Sequence, residues 1–207
     1  MVASATDPPT QGVILAGGRG SRLRPLTDSL PKPLIPFHGR AFLSYILDQL
    51  KEQGFQEVLL LVGYLAHQVR EYCGDGSRWG LKVRYVESPV EAETGQRLRD
   101  AAPLLAPHFL LMYCDNYWPM RLPQMWQAYL QAGTLAMVTV YANRDSYSRN
   151  NVRVDETGSV ATYDPDRTTP GLNGVEIGYA LVAREVLDYL PRDNVRFEHW
   201  VYPALAA

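Results

Sequence analysis

Short apolar runs alternate along this chain with segments of helical periodicity, and that alternation leaves few folds open to it. Gly12–Ala16 is short and uniformly apolar, ends in glycines, and reads as a buried strand. Ala41–Glu52 repeats at helical spacing with Gly54 placed as its C′ residue, and Glu57–Val62 returns to an apolar strand. The same reading gives a short helix over Leu65–Tyr72, a strand over Leu81–Val86, a helix over Thr94–Leu105 with Thr94 as N-cap, and a strand over Phe109–Tyr113. Leu122–Gln131 is a further helix and Leu135–Tyr141 a further strand. The texture then changes to a hairpin, Val152–Asp155 and Ser159–Tyr163 about Glu156-Thr157-Gly158, followed by a strand over Gly174–Ala183. Helix after strand, repeated, predicts an α/β fold whose central sheet is mostly parallel and covered on both faces. Ligands of such sheets lie at the carboxyl ends of the strands, beside the switch in strand order.

The chemically richest run, LAGGRGSRLRPLTDSLPKPLIP at residues 15–36, begins at such an end. Gly17, Gly18 and Gly20 allow positive φ and let a ligand reach main-chain N–H donors with no Cβ in the way. Arg19, Arg22 and Lys32 add positive charge, the arginines able to grip phosphate oxygens bidentately and the lysine acting as a point charge. The spacing is not GxxxxGK[ST], because Ser21-Arg22 follow Gly20, and it is not GxGxxG, because Leu23 stands where a third glycine would be. Pro25, Pro31, Pro33 and Pro36 predict an extended, rigid arm that carries Lys32 back to the glycine turn. Asp115-Asn116 end the Phe109–Tyr113 strand and are placed at the same edge of the sheet.

Charge composition makes this anion site local rather than global. The 207 residues carry a net charge of −2, which excludes a basic field for nucleic acid. With 46% hydrophobic and 20% charged residues the chain has the composition of a globular protein with a sizeable core, read as one domain over 1–207. Cys73 and Cys114 lack CxxC spacing, so neither a disulfide framework nor a zinc site is expected, and a cytoplasmic setting is. The N-terminal MVASATDPPTQG has neither a basic nor an apolar stretch of the signal-peptide kind, and no membrane association is expected. A homo-oligomer is left open.

Gly18-Arg19-Gly20-Ser21-Arg22-Leu23 followed by Pro31-Lys32-Pro33-Leu34 resembles the signature of the sugar-1-phosphate nucleotidyltransferases, a G-x-G-[ST]-R-L loop followed by P-K-P-L. The likeness continues in matching order through RAFLSYILDQLKEQGFQEVLLLVGY, GDGSRWGLKVRYVE and the apolar strand ending in Cys114-Asp115-Asn116. The resemblance implies a three-layer Rossmann-like α/β fold with a mostly parallel sheet and a small β-hairpin region. It also implies transfer of a nucleotidyl group from an NTP to a sugar 1-phosphate, with Mg²⁺ and release of pyrophosphate. In texture the chain is similar to short bacterial guanylyltransferases of mannose or heptose 1-phosphate, which favours GTP. Uridylyl- and thymidylyltransferases of the same family are the alternatives.

Carried over residue by residue, the resemblance implies that Arg22 lies on the NTP phosphates, Lys32 on the α-phosphate and the sugar phosphate, and Asp115 on Mg²⁺. Leu15, Ala16, Gly17, Gly18, Gly20 and Ser21 would hold the nucleotide from the loop. Glu87 or Ser88 would meet the base edge, with Gly95 and Gln96 in a second nucleotide-side segment. Asn116, Glu176 and Gly178 would face the sugar. The lysine that many relatives use for the sugar phosphate is missing from Thr162–Arg167, leaving Arg167 as its substitute. Arg97 stands where relatives have a small residue, and Cys114 where they have glycine. Relatives also carry a second metal-binding aspartate in a segment following the helix that Trp200–Ala207 matches, so the chain is expected to lack the family's C-terminal segment. Two readings follow: a transferase, or a non-catalytic regulatory protein that binds a nucleotide sugar.

Overall fold

Val13 and Ile14 are both fully buried, yet they belong to different cores, because adjacent side chains of a strand point to opposite faces. That pair fixes the layering of the molecule. A computed structural model describes residues 7–206, and residues 1–6 of the N-terminal stretch read above lie outside the described residues. In chain order the elements are β1 (Gln11–Leu15), β2 (Pro36–Phe37), β3 (Arg40–Ala41), α1 (Phe42–Glu52), β4 (Glu57–Val62), α2 (Ala66–Cys73), β5 (Lys82–Glu87) and α3 (Thr94–Ala101). Then follow β6 (His108–Tyr113), α4 (Leu122–Ala132), β7 (Ala136–Tyr141), β8 (Val152–Val154), β9 (Val160–Tyr163), β10 (Val175–Ala183) and α5 (Phe197–Leu205).

Six strands form the main sheet in the order β5-β4-β1-β6-β10-β7. β1 is parallel to both neighbours, Val13 lying opposite Leu59 of β4 and Leu111 of β6, and β4 is parallel to β5. β10 runs antiparallel between β6 and β7, an orientation the sequence left open. The sheet is therefore mostly parallel, as its apolar strands predict. On one face Ile14, Leu60 and Met112 pack under α1, α2 and α4 through Leu43, Leu47, Val69 and Trp126. On the other, Val13, Leu59 and Leu111 pack under α3 and α5 through Leu98, Phe197 and Val201, with Val152 and Tyr163 of the β8–β9 hairpin. The chain leaves β1 for β4 on one side and later returns to β6 on the other, so the switch point lies between the carboxyl ends of β1 and β6.

Three local expectations need correction. The arm at residues 21–34 is not extended; it winds through single turns of 3₁₀ helix at Ser21–Leu23, Leu26–Asp28 and Lys32–Leu34. The φ that proline imposes is also that of the 3₁₀ turn, and tertiary bonds choose the compact form. Thr27 donates to the Gly20 carbonyl at 3.0 Å, and Tyr64 donates to the carbonyls of Thr27 and Asp28 at 2.9 and 3.0 Å. Helix α3 ends at Ala101 rather than Leu105, and a 3₁₀ turn at Ala102–Leu104 takes over where Pro103 has no N–H to give. Thr94 does not cap its own helix: its hydroxyl accepts the N–H of Phe197 at 2.8 Å and donates to Glu198 at 2.8 Å, closing the first turn of α5 instead. Among the described residues no helix is long and apolar enough to cross a membrane.

Candidate active site

The apolar register of β1 and β6 delivers the glycine loop and Asp115 side by side at the switch point, on the rim of a cleft of about 640 Å³. Leu15, Gly17, Gly18, Gly20, Ser21, Arg22, Lys32 and Asp115 line it together. Ala16 lies beneath the surface, its N–H donated to Leu61 at 2.9 Å. Gly20 takes φ +63°, and a Cβ there would lie 3.2 Å from that of Lys32, so the turn closes only with glycine. At Gly18 a Cβ would meet nothing within 4 Å, which leaves this stretch of main chain open to a ligand.

Lys32 reaches across the cleft and its ammonium binds the Asp115 carboxylate directly. Arg22 is exposed and makes no ion pair among the described residues, whereas Arg19 pairs with Glu91 at 3.0 Å. The loop thus presents one free guanidinium, one ammonium and exposed main chain to an anion, with a carboxylate opposite. Burial pushes the Cys114 thiol up to about 12, which keeps it neutral and rules it out as a thiolate nucleophile near pH 7. Asp115 is a single carboxylate, and no group of three or more ligating side chains occurs among the described residues. Such a site suits Mg²⁺, which takes one or two carboxylates and fills its shell with phosphate oxygens and water.

Tyr113 leads from this cleft to a second cluster. β10 carries a bulge between Glu176 and Ala180, and Gly178 within it takes φ +79°, where a Cβ would lie 2.6 Å from the Tyr113 ring. The bulge turns the Glu176 carboxylate back onto the Gly178 N–H, with the Tyr163 hydroxyl at 3.4 Å. Asn116 donates to the Ile177 carbonyl at 2.8 Å and so stands over the same bulge. Desolvation raises Glu176 to about 7, against the opposing pull of its two hydrogen bonds; the Glu198 charge adds to the rise and the Arg167 charge subtracts from it. Arg167 itself adopts φ +61° and donates to Ser148 and to the Arg149 carbonyl at 3.1 and 2.8 Å.

Four residues expected at the nucleotide are not among those that line the cleft. Glu87 is exposed and pairs with Arg70 at 3.1 Å, while the buried Ser88 donates to Asp100 at 2.6 Å, and neither is among the residues that line the cleft. Gly95 gives its N–H to Val195 at 3.0 Å, and a Cβ there would lie 2.6 Å from that carbonyl; its glycine serves the approach of the 190s loop. Gln96 is half-buried and is not among the cleft residues. Sequence reasoning had counted Arg97 only as a departure, yet it lines the cleft. Gly63 was missed altogether, although, like Gly17, it stands just past the end of an apolar strand.

Comparison with known proteins identifies the family. Residues 11–167 match the family described as Nucleotidyl transferase. The chain is 30% identical to a mannose-1-phosphate guanylyltransferase of Mycobacterium tuberculosis over 94% of its own length and 55% of the relative's. It is 25% identical to a UTP–glucose-1-phosphate uridylyltransferase of Synechocystis over 87% of its own length and 51% of the relative's. The chain spans about half the length of these curated relatives. Among solved structures, HddC from Yersinia pseudotuberculosis, complexed with GMP-PN, shares the fold with a TM-score of 0.76 at 21% identity, covering 92% of this chain and 84% of that one. A strand-end glycine loop, its Arg22 and Lys32, and the family match over the same residues lead to one conclusion: the chain belongs to the Nucleotidyl transferase family.

Proposed function

We propose that this chain transfers a nucleotidyl group from an NTP to a sugar 1-phosphate, giving an NDP-sugar and pyrophosphate. One observation carries the reading: the glycine loop, Arg22, Lys32 and Asp115 converge on a single cleft at the switch point of the sheet. The nucleophile is already an ionised phosphate, so no general base is required. A phosphate oxygen of the sugar attacks the α-phosphorus, the bond from that phosphorus to the bridging oxygen breaks, and pyrophosphate leaves with the electron pair. The task left to the protein is to bring two polyanions together and to offset charge.

In this reading the exposed main chain at Gly18 and the guanidinium of Arg22 take the triphosphate. Lys32 exchanges the Asp115 carboxylate for phosphate oxygen where the two substrates meet. Asp115 would hold Mg²⁺, which would offset charge on the phosphates. Asn116, Gly178 and Glu176 offer the hydroxyls of a sugar a donor, main chain and a carboxyl group, and the Arg167 charge acts on the same cluster. GTP is the favoured donor, with mannose or heptose 1-phosphate as acceptor, supported by the likeness to the M. tuberculosis guanylyltransferase and qualified by the similar uridylyltransferase. A cytoplasmic setting suits the two buried free cysteines.

The test is pyrophosphate release across the four NTPs and a panel of sugar 1-phosphates with Mg²⁺. Arg22→Ala and Asp115→Asn should each lower kcat by ~10²-fold or more, the scale for loss of a charge-stabilising group. Near-normal turnover in both variants refutes the assignment. Binding of an NDP-sugar with no turnover of any pair supports the non-catalytic reading instead.

A further inference from the structure

Arg97 is 3% exposed, and its guanidinium lies across the carboxyl ends of three neighbouring strands. Nη1 donates to the Val62 carbonyl at 2.8 Å, at the end of β4. Nη2 faces the Gly17 carbonyl beyond β1 at 3.2 Å, and those of Pro89 and Val90 beyond β5 at 3.1 and 3.2 Å. The group fits only because two residues lack side chains: a Cβ on Gly17 would lie 2.2 Å from Nη1, and one on Gly63 would lie 2.7 Å from it. No carboxylate forms a salt bridge with it among the described residues; Asp100, Glu93 and Glu91 act only at longer range, and burial lowers its pKa. Arginine nevertheless stays charged, so a full positive charge is held here by carbonyl dipoles.

This charge lies at one particular end of the cleft. Arg22, Lys32 and Asp115 gather the phosphate chemistry where β1 meets β6. Ala92, Glu93, Thr94 and Arg97 also line the cleft, and the Arg97 guanidinium lies on its β4 and β5 side, against Gly17 at the start of the glycine loop. A nucleotide with its phosphates on the glycine loop therefore extends its base toward Arg97. The two side chains expected to read that base, Glu87 and Ser88, are engaged with Arg70 and Asp100. What remains is a guanidinium, a group of five N–H donors and no acceptor. The four carbonyl contacts engage Nη1 and Nη2, and none of these bonds uses Nε.

We infer that Arg97 is the base-discriminating residue of this site and that it selects bases with a carbonyl oxygen at the position where adenine and cytosine carry an amino group. The inference rests on the nucleotidyltransferase reading above. Guanine O6 and uracil O4 accept from the guanidinium. The N6 amino group of adenine and the N4 amino group of cytosine present donor to donor, and a buried donor left unpaired lowers affinity by about tenfold or more. Arg97 thus binds base and braces strand ends with one group, which is why a small residue could not replace it here.

The experiment compares nucleotide pairs that exchange this carbonyl for an amino group, together with the proton of the adjacent ring nitrogen: UTP against CTP, and GTP against 2,6-diaminopurine riboside triphosphate. Binding is followed by equilibrium titration on the unaltered chain, and kcat/KM by pyrophosphate release where turnover occurs. The carbonyl member of each pair should be preferred by about tenfold or more. Arg97→Gln, whose amide offers an acceptor as well as donors, should bring each ratio close to one by improving the amino member. Equal binding of both members by the unaltered chain overturns the inference while leaving the transferase reading intact. So does a folded Arg97→Gln chain with unchanged ratios. Failure of every nucleotide to bind overturns the transferase reading, and this inference with it. If Arg97→Gln does not fold, Arg97→Met, of similar length and without donors, takes its place: it should also bring each ratio close to one, and unchanged ratios in it overturn the inference.

Discussion

Glu176 provides a test of the site that needs no substrate. Its carboxyl group ionises at about 7 in the folded chain instead of the ordinary 4.5, chiefly because it is desolvated behind the β10 bulge. A raised value means that the folded state holds its proton more tightly than the unfolded chain does. The stabilisation is complete below 4.5, declines at about 1.4 kcal/mol per pH unit as pH rises, and is exhausted just above 7. The full span is about 3 kcal/mol; allowing for the group's partial exposure, about 2 kcal/mol should be measurable between pH 5 and pH 8. Glu176→Gln removes the titration but keeps an oxygen for the Gly178 N–H and a donor toward the Tyr163 hydroxyl. Urea unfolding of both chains at half-unit intervals over this range should show the difference between them shrinking or reversing by about 2 kcal/mol in favour of the glutamine chain as pH rises. Parallel stability profiles would show that the carboxylate is already solvated, and the account of the bulge as a desolvating pocket would fail.

Gly17→Ala places a methyl group 2.2 Å from Arg97 Nη1 and should cost about 1–3 kcal/mol in thermal or urea unfolding, with weakened nucleotide binding; a neutral effect would mean that the guanidinium is not held over Gly17. Thr94→Ala removes the cap of α5 and should cost about 1 kcal/mol, accompanied by faster amide exchange at Phe197, whereas loss confined to α3 would contradict the assignment. Arg99 donates to the carbonyls of Pro191, Arg192 and Asp193, so Arg99→Ala should expose the 190s loop to limited proteolysis well before global unfolding. Unchanged cleavage kinetics would assign those contacts no role.

Apolar runs with clear punctuation were legible. Glu57–Val62 matches β4 to the residue, because the apolar run Val58–Val62, closed by Gly63, has only one way to be buried. The glycine loop was legible as a motif, although its path was not: prolines permit both an extended arm and a 3₁₀ turn, and Thr27 within the run, with Tyr64 and Gln68 from outside it, decides between them. Tertiary partners also defeated the local reading of Thr94, whose position suits a cap for α3 while its hydroxyl serves α5. Strand direction is invisible to periodicity, so β10 could be found but not oriented. Arg97 was hidden for the same reason. Its neighbours Leu98 and Ala101 on α3 mark a buried face, but only the fold shows that two glycines from other strands open a space for a guanidinium there. A useful signal was present in Gly63, a second glycine closing an apolar strand, paired with an arginine at a core position.

The ion pair between Lys32 and Asp115 has a kinetic corollary. Two opposite charges in contact form a dipole, whose potential falls off far faster than that of either charge alone. At a distance of one Debye length, about 8 Å in physiological salt, an approaching polyanion is drawn by Arg22 and scarcely by Lys32. Capture and alignment are thereby divided between two cations: the exposed one governs how association slows with added salt, and the paired one acts only after arrival, when phosphate oxygen can take the place of the carboxylate.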